Sequence, residues 1–209
     1  MEESNEAFWE RLYRSRDSLW SGNPNPQLVH EASDLTPGTA LDVGCGEGAD
    51  AIWLAERDWQ VTATDISTVA LARGAAHAAE RGAAVARRID WLHADLTAWV
   101  PAEASYALVS AHFLHLLQEP REAIFRRLAA AVAPGGTLLI VGHHPSDLQT
   151  TARRFPQPER FFTAADVSAL LDLQHWDIVV SAARERSATD PEGRTITIHD
   201  AVLRARRRG

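Results

Sequence analysis

The run Leu41-Asp42-Val43-Gly44-Cys45-Gly46-Glu47-Gly48 constrains this chain more than any other segment. Thr39 to Val43 reads as a short buried strand and Ala49 to Glu56 as the helix after it, with glycines in a G-x-G-x-G pattern between them. So tight a turn needs residues without a Cβ, which lets backbone approach a ligand closely. The helix N-terminus behind it offers free N–H groups. Val61 to Thr64 reads as the next strand. Asp65 stands at its C-terminal end, where a carboxylate can accept hydrogen bonds from both hydroxyls of a ribose. Strand, loop, helix, strand and acid in this order make a unit for an adenosine-containing cofactor.

Two cofactors fit that unit. Gly44-x-Gly46-x-x-Ala49 also meets the dinucleotide fingerprint when Ala is allowed at its last position. The flanking acids separate the two. Asp42 lies just before the first glycine, where a carboxylate can face a cationic ligand. His93-Ala94-Asp95-Leu96 follows a third strand, Arg88 to Leu92, and brings another acid to a strand end. That much negative charge repels a pyrophosphate but not a sulfonium and an amino group. The balance favours S-adenosylmethionine (SAM) over NAD. All 21 basic residues are Arg, so a reductase with a Y-x-x-x-K pair and any Lys-based chemistry are excluded.

The rest of the chain punctuates into alternating elements. Glu6 to Arg16 carries Phe8, Trp9, Leu12 and Tyr13 at helical spacing, and Gln27 to Ala32 is helical, with a Gly/Asn/Pro loop from Ser18 to Pro26 between them. Ser67 to Arg81 predicts a crossover helix ended by Gly82, Tyr106 to Ser110 strand four, Pro120 to Val132 a helix, and Thr137 to Val141 strand five. Residues 143–162 form a polar connection. Thr163-Ala164-Ala165-Asp166 has capping-box spacing and starts a helix to Leu171. Trp176 to Ala183 and Thr195 to Ala205 alternate like strands around an Asp190-Pro191-Glu192-Gly193 turn. This order predicts an α/β fold with a parallel sheet and helices on both faces.

The chain resembles the class I SAM-dependent methyltransferases. The resemblance rests on Leu41 to Gly48, Asp65, Asp95, SYALVSAHFLH from Ser105 to His115, and PGGTLLIVG from Pro134 to Gly142. It implies a Rossmann-like, seven-stranded, mostly parallel sheet closed by a C-terminal antiparallel hairpin. It also implies SAM as cofactor, leaving as S-adenosylhomocysteine. The implied cofactor-binding residues are Asp42 near the amino-acid end; Gly44, Cys45, Gly46 and Gly48 in the loop; Asp65 on ribose with Ile66 beside adenine; Asp95 and Leu96 on the adenine side; and Ala111 by the methionine portion. Trp20-Ser21-Gly22-Asn23-Pro24 is similar to an element of thiol and tellurite-resistance methyltransferases that folds over the cofactor, which makes Trp20 part of a lid. One methyltransferase domain over 1–209 is expected, with residues 1–35 as the helical lid and 36–209 as the core.

The acceptor is less constrained. His112, His115, His143 and His144 follow strands four and five, where an open α/β sheet holds its ligand crevice. His112, His143 and His144 are the candidates for a catalytic base. His115, spaced with Phe113, Leu114 and Leu116, reads as a packed core histidine. Adjacent residues leaving a strand diverge, so His143-His144 is not expected to bind metal. Cys45 reads as a small residue that fits its loop. Ser110-Ala111-His112-Phe113 stands where nucleic-acid amino methyltransferases have N/D-P-P-Y/F, and the net charge is −7, so a small-molecule acceptor is favoured over nucleic acid. A thiol or other soft nucleophile leads. An O- or N-acceptor served by a His base, and a SAM-binding protein without transfer, stay open. The Arg204 to Arg208 tail reads as solvated. No membrane-spanning or signal-like run is found, and the lone cysteine fits a reducing compartment, so a cytoplasmic location is expected.

Overall fold

A computed structural model describes residues 4–152 and 157–209. The first three residues and part of the expected 143–162 connection, residues 153–156, lie outside the described residues. Strands β1 (Thr39–Val43), β2 (Gln60–Asp65), β3 (Ile89–His93), β4 (Tyr106–His112), β5 (Val132–His143), β6 (Trp176–Thr189) and β7 (Thr195–Arg207) form one sheet in the order β3-β2-β1-β4-β5-β7-β6. β1 to β5 pair in parallel, while β7 runs antiparallel to both β5 and β6. The strand order reverses between β1 and β4, so the crevice opens beside the C-terminal ends of those strands.

Helices α1 (Asn5–Arg14), α2 (Pro26–Ala32), α3 (Ala49–Ala55), α4 (Thr68–Glu80), α5 (Ala83–Ala86), α6 (Gln118–Ala131) and α7 (Ala164–Ser168) complete the layers. Side chains along a strand alternate between faces. In β5, Leu138 and Ile140 join Ile124, Phe125 and Leu128 of α6 in one core, while Leu139 and Val141 join Leu28 of α2 and Trp53 and Leu54 of α3 in the other. Burial of these two apolar faces is the main driving force for the layered fold. Among the described residues no helix is long and apolar enough to cross a membrane.

Several boundaries differ from expectation. β4 continues through Ala111 and His112, and β5 through His143, because in-register pairing to neighbouring strands extends that far. α7 is shorter than expected, although its Thr163–Asp166 capping box forms in both directions. α5 is an additional short helix after Gly82. The arginine tail is solvated only in part: β7 runs to Arg207, and Arg204 pairs with Glu31 at 3.6 Å and Asp34 at 3.2 Å, while Arg206 and Arg208 are exposed. Glu31 of α2 and Asp34 just beyond it, both distant in sequence, hold Arg204.

Candidate active site

The glycine loop leaves β1 in the left-handed region, with φ of +69° at Gly44 and +53° at Gly46. Thr64 carbonyl oxygen accepts from the N–H groups of Gly44 at 2.8 Å and Cys45 at 2.9 Å, which fastens the loop to β2. Asp65 Oδ2 accepts from Gly46 N–H at 2.8 Å and Oδ1 from Ser67 N–H at 2.9 Å. Burial pushes the Asp65 carboxyl upward, and these backbone donors oppose that rise. Gly48 serves α3, standing as its N-cap, and the Trp91 ring fills the space a Cβ there would need.

Asp42 is 2% exposed, and its Oδ2 has no hydrogen-bond partner among the described residues. Desolvation, reinforced by the Asp50 carboxylate, raises its pKa to about 7. An orphaned buried carboxylate oxygen at a strand end suits a cationic ligand group. Asp50, in the first turn of α3, accepts from Asn25 N–H at 2.6 Å through Oδ1, and its Oδ2 lies 2.6 Å from His112 Nδ1. His112 Nε2 is buried and has no partner among the described residues. One ligating atom from each of Asp42, Asp50 and His112 lies within 4.8 Å of the others.

The four histidines at and after the ends of β4 and β5 part into three settings. His112 belongs with Asp50. Phe113 then turns the chain sharply, with φ of +52°, an unusual conformation for a bulky residue. His115 lies in the segment after this turn rather than on a helix. It stacks on Trp9 at 6.0 Å and on His143 at 5.5 Å, which corrects its reading as a core histidine at helical spacing. His143 also faces Phe113 at 4.6 Å. His144 turns the other way and caps the short 3-10 helix Pro145–Gln149, with its Nδ1 2.9 Å from Ser146 Oγ.

The remaining positions spread along the strand ends. Ala111 is buried in register with Val43 of β1 and Ile140 of β5. The Ile66 carbonyl lies 2.9 Å from His93 Nε2. Asp95 is exposed, and its Oδ1 accepts from Thr97 N–H and Oγ1, both at 2.8 Å. Leu96 packs against the α6 core. Burial, with Asp42 and Asp65 nearby, holds the Cys45 thiol well above its usual pKa, in keeping with an unreactive loop residue.

Trp20 is half exposed, and its indole N–H donates to the Tyr13 hydroxyl at 2.9 Å. A Cβ on Gly46 would lie 3.0 Å from that hydroxyl, and one on Gly44 would run into Leu114. The space over the loop is therefore filled by the chain itself. A cavity of about 250 Å³ adjoins the end of the loop, between α3 and α4, with Gly22, Glu47, Trp53, Glu56, His77 and Arg81 in its lining. Glu47, Asp50 and Arg73 lie beside the loop and were missed by motif reading, whereas Tyr13, with Phe8 and Trp9, was expected as a roof over the pocket. The available signal was the charge inside G-E-G and the acid in the first turn of α3, where the helix dipole favours it.

Residues 40–136 match the family described as methyltransferase domain. Over that segment, just under half of the chain, this protein is similar to methyltransferase domains. The chain is 39% identical over 127 residues to an uncharacterized methyltransferase of Mycobacterium tuberculosis, a match covering 60% of this chain and 61% of that protein. It is 30% identical over 144 residues to a probable thiol methyltransferase 2 of Arabidopsis thaliana, covering 66% of this chain and 62% of the relative. The match thus spans less than two thirds of either curated relative's length. A solved structure from work on the conversion of a disulfide bond into a thioacetal group during echinomycin biosynthesis superposes with a TM-score of 0.76 at 21% identity, over 98% of this chain and 92% of the other. That likeness is one of fold.

Proposed function

We propose that this protein transfers the methyl group of SAM to a small molecule, with a thiol or another soft nucleophile as acceptor. The observation that carries the reading is the left-handed Gly44–Gly46 loop held against Asp65, with the orphaned Asp42 oxygen at the neighbouring strand end. These groups fit SAM once Leu114, Tyr13 and Trp20 move aside: a glycine backbone turn, a ribose acid, and a buried carboxylate for a cation. Cofactor contacts are assigned to Asp42, Gly44, Cys45, Gly46, Asp65 and Ile66, to Asp95 and Leu96 on the adenine side, and to Ala111 and Trp20. Bound SAM supplies a methyl group already activated by its sulfonium.

The chain's own residues orient the acceptor and handle its proton. With Nδ1–H donated to Asp50, His112 presents Nε2 as a proton acceptor, the arrangement of a base oriented by a carboxylate. A thiol, whose pKa lies near about 8.5, needs only modest help of this kind. The thiol methyltransferase relative supports the acceptor class. The same Asp50–His112 pair favours a second reading, an O- or N-acceptor. His143, stacked among Phe113, His115 and, through His115, Trp9, is assigned to the acceptor wall, and His144 is left outside it.

Incubation with methyl-labelled SAM and panels of small thiols, phenols and amines, followed by mass spectrometry, tests the proposal. Label on thiols is the expected result. Label only on phenols or amines selects the second reading. SAM binding without transfer to any acceptor overturns both in favour of a non-catalytic SAM-binding protein.

A further inference from the structure

Glu47 is a charged residue inside the glycine loop, yet it is only 6% exposed. Its carboxylate accepts from the backbone N–H of Leu19, at 3.2 Å to Oε2, and of Trp20 at 3.3 Å, and from Ser18 Oγ at 3.4 Å. Arg73 of α4 donates Nη1 to the same carboxylate at 2.9 Å. Its Nη2 donates to the carbonyls of Tyr13 at 3.0 Å and Arg16 at 2.8 Å. One partly buried ion pair therefore grips the end of α1 and the segment after it from both sides. Two further acids anchor the flanks. Glu10 of α1 accepts from Thr68 N–H at 2.6 Å at the start of α4, and Asp50 accepts from Asn25 N–H at 2.6 Å.

The grip sets what lies over the loop. The Tyr13 hydroxyl and Trp20 Nε1 stand 3.0 Å and 3.2 Å from where a Cβ on Gly46 would be. Burial and the Asp65 carboxylate push the Tyr13 phenol upward in pKa, so it stays protonated. Having accepted from Trp20, it keeps its own proton to donate.

We infer that Glu47 and Arg73 are a positioning pair, a latch that holds residues 13–20 as a cover on the glycine loop, so that ligand exchange requires the latch to open. The inference rests on the proposed function for the ligand's identity and on the hydrogen-bond geometry for the latch. Neither residue needs to touch the reacting atoms. A buried carboxylate without its guanidinium partner is left poorly satisfied, so opening either half weakens the other.

The test uses the full chain with two readouts, the dissociation rate of S-adenosylhomocysteine and limited trypsin cleavage. Arg14 and Arg16 are exposed trypsin sites within the cover, so their cleavage rate reports how firmly its backbone is held. Arg73→Ala is expected to speed dissociation on the order of tenfold or more, since hydrogen bonds to charged groups are removed. It should speed cleavage after Arg16 by freeing the backbone that Arg73 holds, and raise the KM for SAM more than it lowers kcat. Arg73→Lys should recover part of each effect. Should Arg73→Ala fail to fold, Glu47→Gln, which keeps an acceptor for Leu19 and Trp20 but loses the charge, is read by the same measurements. Wild-type dissociation and cleavage rates in a folded Glu47→Gln or Arg73→Ala protein overturn the latch. Failure of wild-type protein to bind S-adenosylhomocysteine overturns the proposed function instead, and the cleavage readout still decides whether the pair holds the cover.

Discussion

His112 Nδ1 lies 2.6 Å from Asp50 Oδ2, joining the last residue of β4 to the first turn of α3 across the mouth of the crevice. Both side chains are largely withdrawn from solvent, and the imidazole nitrogen facing away from Asp50 is buried without a partner. If His112 takes the acceptor's proton, His112→Ala should lower kcat by about 10²- to 10⁴-fold for a neutral acceptor. SAM affinity should change far less. Asp50→Asn should lower kcat in the same direction by disturbing imidazole orientation. Turnover and equilibrium SAM binding measured on both variants check this, and unchanged turnover in His112→Ala would leave positioning alone to explain catalysis.

Asp65 accepts backbone hydrogen bonds from Gly46 of the loop and Ser67 at the start of α4, as well as making its proposed ribose contact. Asp65→Ala should weaken SAM binding by roughly tenfold to a hundredfold, the range of one or two charge-assisted hydrogen bonds. Titration calorimetry gives the affinity, and circular dichroism shows whether the fold survives. Wild-type affinity in a folded variant would remove Asp65 from the cofactor site.

The Asp42 carboxyl has a folded-state pKa of about 7 against an ordinary value of 3.8. Its protonated form is the one the folded protein prefers, because burial and Asp50 disfavour the anion. The stability it contributes is therefore intact below the unfolded value and is lost as pH rises through the folded value. In ligand-free protein, Asp42→Asn should flatten this dependence. The variant's melting temperature relative to wild type should rise as pH goes from the unfolded value of 3.8 up through the folded value of about 7. A constant difference across that range would show that Asp42 does not titrate there.

Gly46 has φ of +53° and carries Tyr13 and Trp20 directly above its Cα. Gly46→Ala meets two penalties, a left-handed conformation costing about 1–2 kcal/mol for a residue with a Cβ and a crowded contact with the Tyr13 hydroxyl. It should lower the melting temperature by several degrees and increase tryptic cleavage at Arg16. Both are measured on the ligand-free protein. Unchanged stability would mean that the loop relaxes without cost.

Much of the layered fold was legible because two periodicities and their punctuation were strong. Leu138 to Val141 alternates between two cores, and the capping box at Thr163 forms as its spacing predicts. Strand ends were less legible. Nothing local marks His112, His143 or Arg207 as paired, since their extension depends on hydrogen-bonding partners in neighbouring strands. The histidines illustrate the same limit. Their grouping at two strand ends was readable, but the left-handed turn at Phe113 and the capping role of His144 send them to three different environments.

By itself the sequence determined the glycine loop, the acids at the ends of β1 and β2, and the alternation that builds a parallel sheet with a closing hairpin. These depend on neighbours along the chain: absence of a Cβ, a repeat of two or 3.6 residues, a turn dipeptide. Only the tertiary structure decided that Asp50 orients His112, that Arg73 and Glu47 hold residues 13–20 over the loop, and that Asp42 keeps an oxygen unpaired. Each is a meeting of side chains far apart in sequence. Its strength depends on burial, and so on desolvation, which emerges only when the layers close.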